Sequence, residues 1–270
     1  MREVVVACKD VFKQYPIIPP KGTGLKQLFS FRKNASSFTA LSGISMEIYQ
    51  GEVVGFIGLN GSGKSTLSRI IAGITYPSSG TIEVKGTVSM LSTKSGLNNY
   101  LTGRENIYYK CLLLGFDNKH IKSIENKIIE FAELEEFIDQ PLENYSSGMQ
   151  ARLGFAISIH ICPDILIVDE ALSVGDSSFM EKCLSWMTQY RENGNSIIYV
   201  SHSISQMQEF CDRVLWLHNG RCIGLDTAQR LIPPYNSFAK AYTKMSKEEK
   251  KACQPHLSDY GEAFIDPLIR

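Results

Sequence analysis

The run Gly58-Leu59-Asn60-Gly61-Ser62-Gly63-Lys64-Ser65 has the residue types and spacing of a loop that binds nucleotide phosphates. Its glycines let the backbone bend so that successive N–H groups point at phosphate oxygens, Lys64 reaches the β- and γ-phosphates, and Ser65 can bind Mg²⁺. Together with Gly58, the predicted nucleotide contacts are Asn60, Gly61, Ser62, Gly63, Lys64, Ser65 and Thr66.

A second group of candidate residues follows an apolar run at 165–168, which ends in Asp169 and Glu170. One carboxylate at such a strand end can hold a metal through its water shell, and the next can activate an attacking water. We predict that Asp169 binds Mg²⁺ and that Glu170 is the general base. The alternative is a strand capped by two solvated acids, which is common where no phosphate loop accompanies them.

His202 follows another apolar run, which ends at Val200-Ser201. The ends of parallel strands meet at one edge of a sheet, so we expect His202 to lie near Lys64 and Asp169 and to contact the γ-phosphate. A structural role is the alternative for a lone histidine. The remaining histidines are interpreted as structural: His120, His160, His218 and His256.

A Ser/Gly turn at 145–150 opens a helix that we predict from Met149 to Ile161. Ser146 and the N–H groups around Gly148 would lie at the positive end of that helix, which suits a phosphate. A second phosphate-facing surface, distinct from the glycine loop, implies that the protein works as a dimer.

Strands and helices must position these groups, and the pattern predicts an α/β arrangement. The apolar runs at 165–168 and 196–200 suit a parallel sheet that is covered on both faces, and a helix at 65–72 follows the glycine loop. Further strands are predicted at 3–8, 44–48, 53–57, 81–84, 87–91 and 214–217.

The middle of the chain, from Thr102 to Gln140, reads as an inserted helical subdomain. One helix there has the apolar positions Ile107, Leu112 and Leu113, and the next has apolar residues at helical spacing between 121 and 131. Beyond Pro233-Pro234 we expect a helical tail from about Ser237 to Ala252.

Composition excludes several classes of protein. Lysine plus arginine equals aspartate plus glutamate at 28 each in 270 residues, so no overall positive field exists to attract nucleic acid. No apolar stretch approaches the roughly 18 to 20 residues of a membrane helix, and the start resembles a strand rather than a signal peptide, so we expect a cytoplasmic chain. The seven cysteines form no C-x-x-C pair and are interpreted as buried, reduced thiols rather than metal ligands or disulfides.

These motifs together resemble the ATP-binding cassette (ABC) ATPases over almost the whole chain. The segment ending in Tyr15 resembles the one whose aromatic residue stacks on adenine. Ser146-Ser147-Gly148-Met149 stands where the family has its signature Leu-Ser-Gly-Gly-Gln, which contacts the ATP held by the partner subunit. Asp176 resembles an aspartate that crosses the dimer interface, and an N-cap for the helix from Ser177 is its alternative role.

The resemblance implies a P-loop NTPase with a RecA-like core, an antiparallel β edge and an inserted helical subdomain. Residues 1–95 and 146–231 would form the core, 96–145 the helical subdomain and 232–270 a helical tail. Within the core, residues 16–38 are an insertion with four cations, no acid and several apolar residues. Four cations give at most roughly 4 kcal/mol of attraction to an anionic leaflet, too little for stable anchoring. A solvated loop is the alternative.

Three departures from the family pattern indicate a particular branch. Ser147 and Met149 replace the usual glycine and glutamine of the signature, and 92–94 (Ser-Thr-Lys) occupies the place of an expected glutamine. With the basic insertion, these features are similar to those of polysaccharide exporters, and most similar to those of teichoic-acid exporters of Gram-positive bacteria.

That branch implies an ATPase subunit that binds ATP and Mg²⁺, forms a head-to-tail homodimer, and joins integral membrane permeases as two ATPases with two permeases. It would drive export of lipid-linked wall teichoic acid from the cytoplasmic face of the plasma membrane, as a peripheral protein. The alternatives are another ABC transporter subunit, for O-antigen-type glycan or lipid, and a soluble cassette ATPase of translation or DNA repair. A GTPase is disfavoured, because residues 118–121 (Asn-Lys-His-Ile) lack the aspartate that reads guanine.

Overall fold

The structure is a computed structural model that describes residues 2–17, 37–92, 96–169, 177–201, 203–253, 255–257 and 263–265. Its strands are β1 (Val4–Pro16), β2 (Ser37–Tyr49), β3 (Val53–Ile57), β4 (Ser79–Val84), β5 (Val88–Ser92), β6 (Ile165–Asp169), β7 (Ser196–Val200), β8 (Arg213–His218), β9 (Arg221–Thr227), β10 (Pro255–Leu257) and β11 (Ala263–Ile265). Its α-helices are α1 (Lys64–Ile71), α2 (Gly103–Leu113), α3 (Asn118–Ala132), α4 (Ser147–His160), α5 (Ser177–Glu192), α6 (Ile204–Phe210), α7 (Ala228–Lys244) and α8 (Lys247–Ala252), and a 3₁₀ turn covers Leu142–Asn144.

The described chain divides into two compact units. The first contains Met1–Glu3, Tyr49–Phe56 and Lys85–Arg213, and the second contains Val4–Ile48, Ile57–Val84 and Val214–Arg270. The chain therefore passes from one unit to the other near the end of β3, immediately before the glycine loop.

Parallel strands in the order β5-β6-β7-β3 form the sheet of the first unit. Every residue of β3, β6 and β7 is buried, because these strands are continuous apolar runs with both faces covered. The predicted parallel sheet is present. Asp169 is the last residue of β6, and its Cα partners are Ser92 on β5 and Val200 on β7.

The helical part of the first unit has its own apolar core. Thr102 begins α2 with a reciprocal capping box to Glu105, and Asp117 caps α3 through the amide of His120. The apolar faces of α2, α3 and α4 meet in one cluster, with Ile107, Ile121, Ile128, Leu153 and Ile157 at its centre.

Two apolar positions predicted for α2 do not enter this core. Ile107 is fully buried, but Leu112 and Leu113 are 51% and 68% exposed. They lie at the last turn of the helix, where the chain leaves for Gly115, and the neighbouring Leu114 is 50% exposed as well. Leu112 and Leu113, two of the apolar positions of this helix in the sequence, therefore take no part in its packed core.

The second unit has a three-stranded sheet in the order β2-β1-β4, with β1 and β4 antiparallel. This is the antiparallel β edge implied by the family resemblance. The unit also contains α1, the strands β8 and β9, the helices α7 and α8, and the antiparallel pair β10-β11. Of the predicted buried thiols, Cys8, Cys111, Cys183, Cys211 and Cys253 are buried, Cys222 is half-buried and Cys162 is exposed, and none is bridged.

The prediction of one tail helix from about Ser237 to Ala252 is wrong in two respects: the helix begins earlier, and a break divides the segment into two helices. Helix α7 begins at Ala228 and includes Pro233 and Pro234. A proline inside a helix costs about 3 kcal/mol, but burying an apolar side chain contributes roughly 1.5–3 kcal/mol, and α7 buries Leu231, Ile232, Tyr235 and Phe238. The helix ends at Lys244, and Ser246 caps the separate helix α8.

Candidate functional site

The glycine loop between β3 and α1 adopts backbone conformations that favour glycine at Gly58 (φ 150°), Gly61 (φ 78°) and Gly63 (φ 109°). A Cβ at Gly58 would lie 2.3 Å from the carbonyl oxygen of Leu217, and one at Gly63 would lie 2.9 Å from that of Ala40. A Cβ at Gly61 would meet no atom within 4 Å. Gly58 and Gly63 thus have no room for a side chain, whereas Gly61 faces open space.

Lys64 is 7% exposed although it carries a charge. Its Nζ donates hydrogen bonds to the carbonyl oxygens of Gly58, at 2.7 Å, and Leu59, at 3.2 Å. The lysine therefore folds back over the loop from which its helix starts, and holds a positive charge beside the bent backbone.

The start of α1 has the properties of an anion site. Its N-cap residue, Gly63, supplies no side-chain hydrogen bond, and the first turn contains no acidic residue. N–H groups at such a helix end attract phosphate. The loop also contains Ser62, whose buried Oγ has no hydrogen-bond partner among the described residues. Ser65 and Thr66, in the first turn of α1, are half-buried, and Asn60 is exposed.

The second unit supports this loop from the turn between β8 and β9. The N–H of Gly220 donates to the carbonyl oxygen of Ser62 at 3.0 Å. Behind Gly63, a Cβ would lie 2.7 Å from Cδ2 of Leu41 and 3.6 Å from Cα of Gly220. At Gly63, the surrounding atoms of Leu41, Ala40 and Gly220 thus leave no room for a side chain.

Asp169 ends β6 at the carboxyl edge of the parallel sheet and is 8% exposed. In parallel α/β sheets this edge is where ligands bind. The predicted partners Glu170, Asp176 and His202 lie outside the described residues, as do most of the basic insertion at 16–38 and two of the three residues in the glutamine's place.

The Ser/Gly turn forms the N-terminus of α4, two residues earlier than predicted. Ser146 is the exposed N-cap, and its Oγ accepts a hydrogen bond from the N–H of Met149 at 3.2 Å. Its hydroxyl hydrogen remains available to donate to an anion. Around Gly148, the nearest atom to an added Cβ is the Ser146 Oγ at 3.8 Å, so a ligand can approach the backbone closely.

Side chains behind this turn hold it in place. Tyr145 is buried and donates its hydroxyl hydrogen to the carbonyl oxygen of Phe137 at 2.6 Å. One turn into α4, Arg152 pairs with Glu133 at 3.1 Å, and Glu133 also pairs with Lys182 of α5 at 2.9 Å. The helix start is therefore anchored, while its first residues stay exposed.

Tyr15, near the end of β1, is 37% exposed. The Lys13 ammonium lies 5.0 Å from the centre of its ring and also donates to the carbonyl oxygen of Tyr76 at 2.7 Å. An exposed aromatic ring of this kind can stack on a planar base.

Sequence reasoning missed Tyr235 of α7. Its ring packs edge-on against Trp216 of β8, with the ring centres 5.5 Å apart. Trp216 precedes Leu217, whose carbonyl oxygen faces Gly58. No motif marks a single tyrosine so far along the sequence, and only the packing reveals it.

Comparison with known proteins gives consistent results. Residues 41–173 match the family model described as ABC transporter. The chain is 48% identical over 254 residues to a teichoic acids export ATP-binding protein of Enterococcus faecalis, covering 94% of this chain and 57% of that protein. It is 43% identical over 256 residues to the protein of the same name from Staphylococcus haemolyticus, covering 95% and 97%.

The chain thus spans little more than half the length of the Enterococcus relative and nearly all of the Staphylococcus relative. Among solved structures, it is similar to a post-hydrolysis dimer of an ATP-binding cassette bound to ADP and Pi. The TM-score is 0.69 at 22% identity, covering 83% of this chain and 98% of that one. This likeness confirms the predicted fold class.

Proposed function

This chain belongs to the ABC transporter family that includes the teichoic acids export ATP-binding proteins, and we propose that it hydrolyses ATP to drive export of lipid-linked wall teichoic acid or a related cell-surface polysaccharide. The observation that carries the proposal is the loop at 58–65. Its bent backbone, the uncapped start of α1 and the cation of Lys64 together fit the phosphates of ATP.

Each part of the loop has a role in this proposal. The backbone N–H groups from Asn60 to Thr66 and the hydroxyl of Ser62 bind phosphate oxygens, and Lys64 moves from the loop carbonyls to the β- and γ-phosphates.

We assign Mg²⁺ to Ser65 and Asp169. A hydroxyl at the start of α1 and a carboxylate at a strand end are the hard oxygen ligands that Mg²⁺ takes alongside phosphate and water. Bound there, the ion supplies positive charge to the β- and γ-phosphate oxygens.

The general base is assigned to Glu170 and a γ-phosphate contact to His202. Both assignments rest on chain position: Glu170 follows Asp169, His202 follows Val200 by two residues, and Asp169 and Val200 are Cα partners in neighbouring parallel strands. Residues that follow paired strand ends emerge at the same edge of the sheet. The glutamate accepts a proton from the attacking water, and the histidine donates to the γ-phosphate.

We infer that two copies assemble head to tail, and that the α4 turn of one copy closes on the ATP held by the loop of the other. The exposed hydroxyl of Ser146, the accessible backbone at Gly148 and the lack of acids in the first turn of α4 favour a phosphate there. Tyr15 would stack on the adenine, and Asp176 would cross between the copies.

A membrane permease is the proposed partner, with two ATPase subunits and two permeases at the cytoplasmic face of the plasma membrane. The relatives are named as export ATP-binding proteins, and among the described residues no helix has the length and hydropathy needed to cross a bilayer. The exposed run Leu112, Leu113 and Leu114, with Tyr109 one turn before it, is an apolar surface suited to a protein contact.

The domain division remains part of the proposal, with a core at 1–95 and 146–231, a helical subdomain at 96–145 and a tail at 232–270. In the place of the family glutamine, Ser92 is the Cα partner of Asp169. Residues 92–94 thus begin beside the proposed metal ligand, and we propose that they take over the relay from the site to the permease.

Co-purification with the cognate permease tests this function. The complex in lipid nanodiscs should hydrolyse ATP, and lipid-linked polymer should raise the rate above that with the lipid carrier alone. If the chain binds no membrane protein, or if polymer leaves the rate unchanged, the exporter assignment fails.

A further inference from the structure

Glu133 lies at the point where helix α3 ends, in a backbone conformation that favours glycine. Its φ and ψ angles are 56° and 51°, in the left-handed region, and the N–H of the next residue, Leu134, donates to the carbonyl oxygen of Ile129 at 3.4 Å. Many helices end in this way, and glycine is the usual residue there because it has no Cβ. A glutamate at this position therefore costs stability that glycine would not, unless its side-chain contacts offset the cost.

The carboxylate of Glu133 joins two other helices. Its Oε2 accepts a hydrogen bond from Arg152 of α4 at 3.1 Å, and its Oε1 accepts one from Lys182 of α5 at 2.9 Å. One acidic side chain thus holds two cations, each on its own oxygen. Without it, the like charges of Arg152 and Lys182 would repel each other.

Each cation also lies against an aromatic ring. The guanidinium carbon of Arg152 is 5.0 Å from the centre of the Phe179 ring, in the first turn of α5. Lys182 Nζ is 4.8 Å from the centre of the Phe131 ring and donates to the carbonyl oxygen of Phe131 at 3.0 Å. A cation is attracted to the face of an aromatic ring at such distances. Glu133, Arg152 and Lys182 therefore tie α3, α4 and α5 together.

Apolar packing holds α4 on α5 but directs it only weakly. The ring centre of Phe155 on α4 is 6.1 Å from that of Phe179 and 6.4 Å from that of Trp186, both on α5. Burial of this apolar surface stabilises the pair of helices without a preferred direction, whereas charged hydrogen bonds have a defined geometry. Those to Glu133 act on Arg152, about 9 Å along α4 from Ser146 at 1.5 Å per residue. A change in the angle of α4 would therefore move its N-terminal turn.

We propose that Glu133 is a positioning residue for the ATP-bound dimer: it sets the orientation of α4 against α5 and so directs the Ser146 turn at the ATP of the partner copy. The inference rests on the proposed head-to-tail assembly, and it adds a residue outside the motifs of the nucleotide site. The glycine loop belongs to the other compact unit. Loss of the Glu133 carboxylate should therefore affect assembly, and leave ADP binding by a single chain unchanged.

Two replacements of Glu133 test the proposal. Glu133→Gln keeps the size of the side chain and removes its charge. Glu133→Gly removes the side chain but relieves the left-handed backbone, so its free energy of unfolding should stay near that of the wild type. Glu130→Gln is the matched control, because Glu130 is an exposed glutamate one turn earlier, on α3.

The variants are made in a Glu170→Gln background, in which bound ATP should persist. Sedimentation with ATP measures the dimerisation constant, urea unfolding measures the stability, and calorimetry measures ADP affinity. We expect both Glu133 variants to weaken ATP-driven dimerisation by roughly 3- to 30-fold, with unchanged ADP affinity. Glu130→Gln should change neither.

A loss of stability in the Glu133 variants with the dimerisation constant of the background protein would mean a merely structural role and would overturn the inference. Weaker ADP binding by the single chains would overturn it as well. If the background protein forms no dimer with ATP, the proposed assembly fails and the inference fails with it. If the background protein dimerises and the Glu133 variants dimerise equally well, only the inference fails.

Discussion

Replacing Gly58 with alanine should damage the loop far more than the same replacement at Gly61. Both residues have positive φ angles, at 150° and 78°, so alanine pays a conformational penalty at each. They differ in the space available. A Cβ at Gly58 would lie 2.3 Å from the carbonyl oxygen of Leu217 and 2.6 Å from Ser62 Oγ, whereas one at Gly61 meets nothing within 4 Å.

The magnitude follows from these contacts. A left-handed conformation costs a non-glycine residue about 1–2 kcal/mol, which is the whole effect expected at Gly61. At Gly58 the backbone of β8 cannot yield as a flexible side chain would, so an overpacking cost of about 1–3 kcal/mol is added. We therefore expect Gly58→Ala to lower the free energy of unfolding by roughly 2–5 kcal/mol, against roughly 1–2 kcal/mol for Gly61→Ala.

Urea unfolding of the two variants and the wild type, followed by circular dichroism, measures this difference. Nucleotide affinity should fall with Gly58→Ala as well, since displacement of this residue moves the carbonyl that holds Lys64. Equal losses of stability for Gly58→Ala and Gly61→Ala would show that the Leu217 carbonyl oxygen does not restrict Gly58, because the two sites differ chiefly in the atoms around the added methyl group.

Three other perturbations test separate parts of the account. Glu170→Gln should slow ATP turnover by at least roughly 10²-fold while nucleotide still binds; unchanged turnover in a steady-state phosphate-release assay would remove Glu170 from the base role. Ser146→Arg should block hydrolysis without weakening ADP binding by the isolated chain, and full activity of that mutant homodimer would argue against the head-to-tail assembly. His218→Gln should flatten the fall in unfolding free energy between about pH 7 and 5, because burial lowers the pKa of His218 below its usual value near 6.5. The folded protein then resists protonation of His218, so this contribution to the unfolding free energy is fully present above about pH 6.5 and is lost as the pH falls. Identical pH dependence of the unfolding free energy in variant and wild type would exclude it.

Local motifs and apolar runs were sufficient to predict the parallel sheet. Strands such as β6 and β7 are unbroken apolar segments, and the glycine loop is a contiguous motif that lies between a strand and a helix, as predicted. The helix start at the Ser/Gly turn was also predicted, because a serine that can cap a helix is visible in the sequence. In the structure the helix begins at Ser147, two residues before the predicted Met149.

Features that depend on distant packing were not visible in the sequence. Strand β9 was not predicted, since residues 221–227 are only partly buried and contain a glycine. Helix α7 passes through two prolines because its apolar side chains find partners such as Trp216. Leu112 and Leu113 have the helical spacing of core residues but remain exposed.

Calorimetry shows whether the loop at 58–65 binds ATP. The measurement compares equilibrium binding of ATP to wild-type protein and to Lys64→Ala, without Mg²⁺ so that hydrolysis does not interfere. We expect saturable binding of one ATP per wild-type chain. Lys64→Ala should bind at least roughly 10-fold more weakly, because it loses the charge that the loop holds beside the phosphates. Equal affinity for the two proteins, or no binding by the wild type, would contradict this expectation.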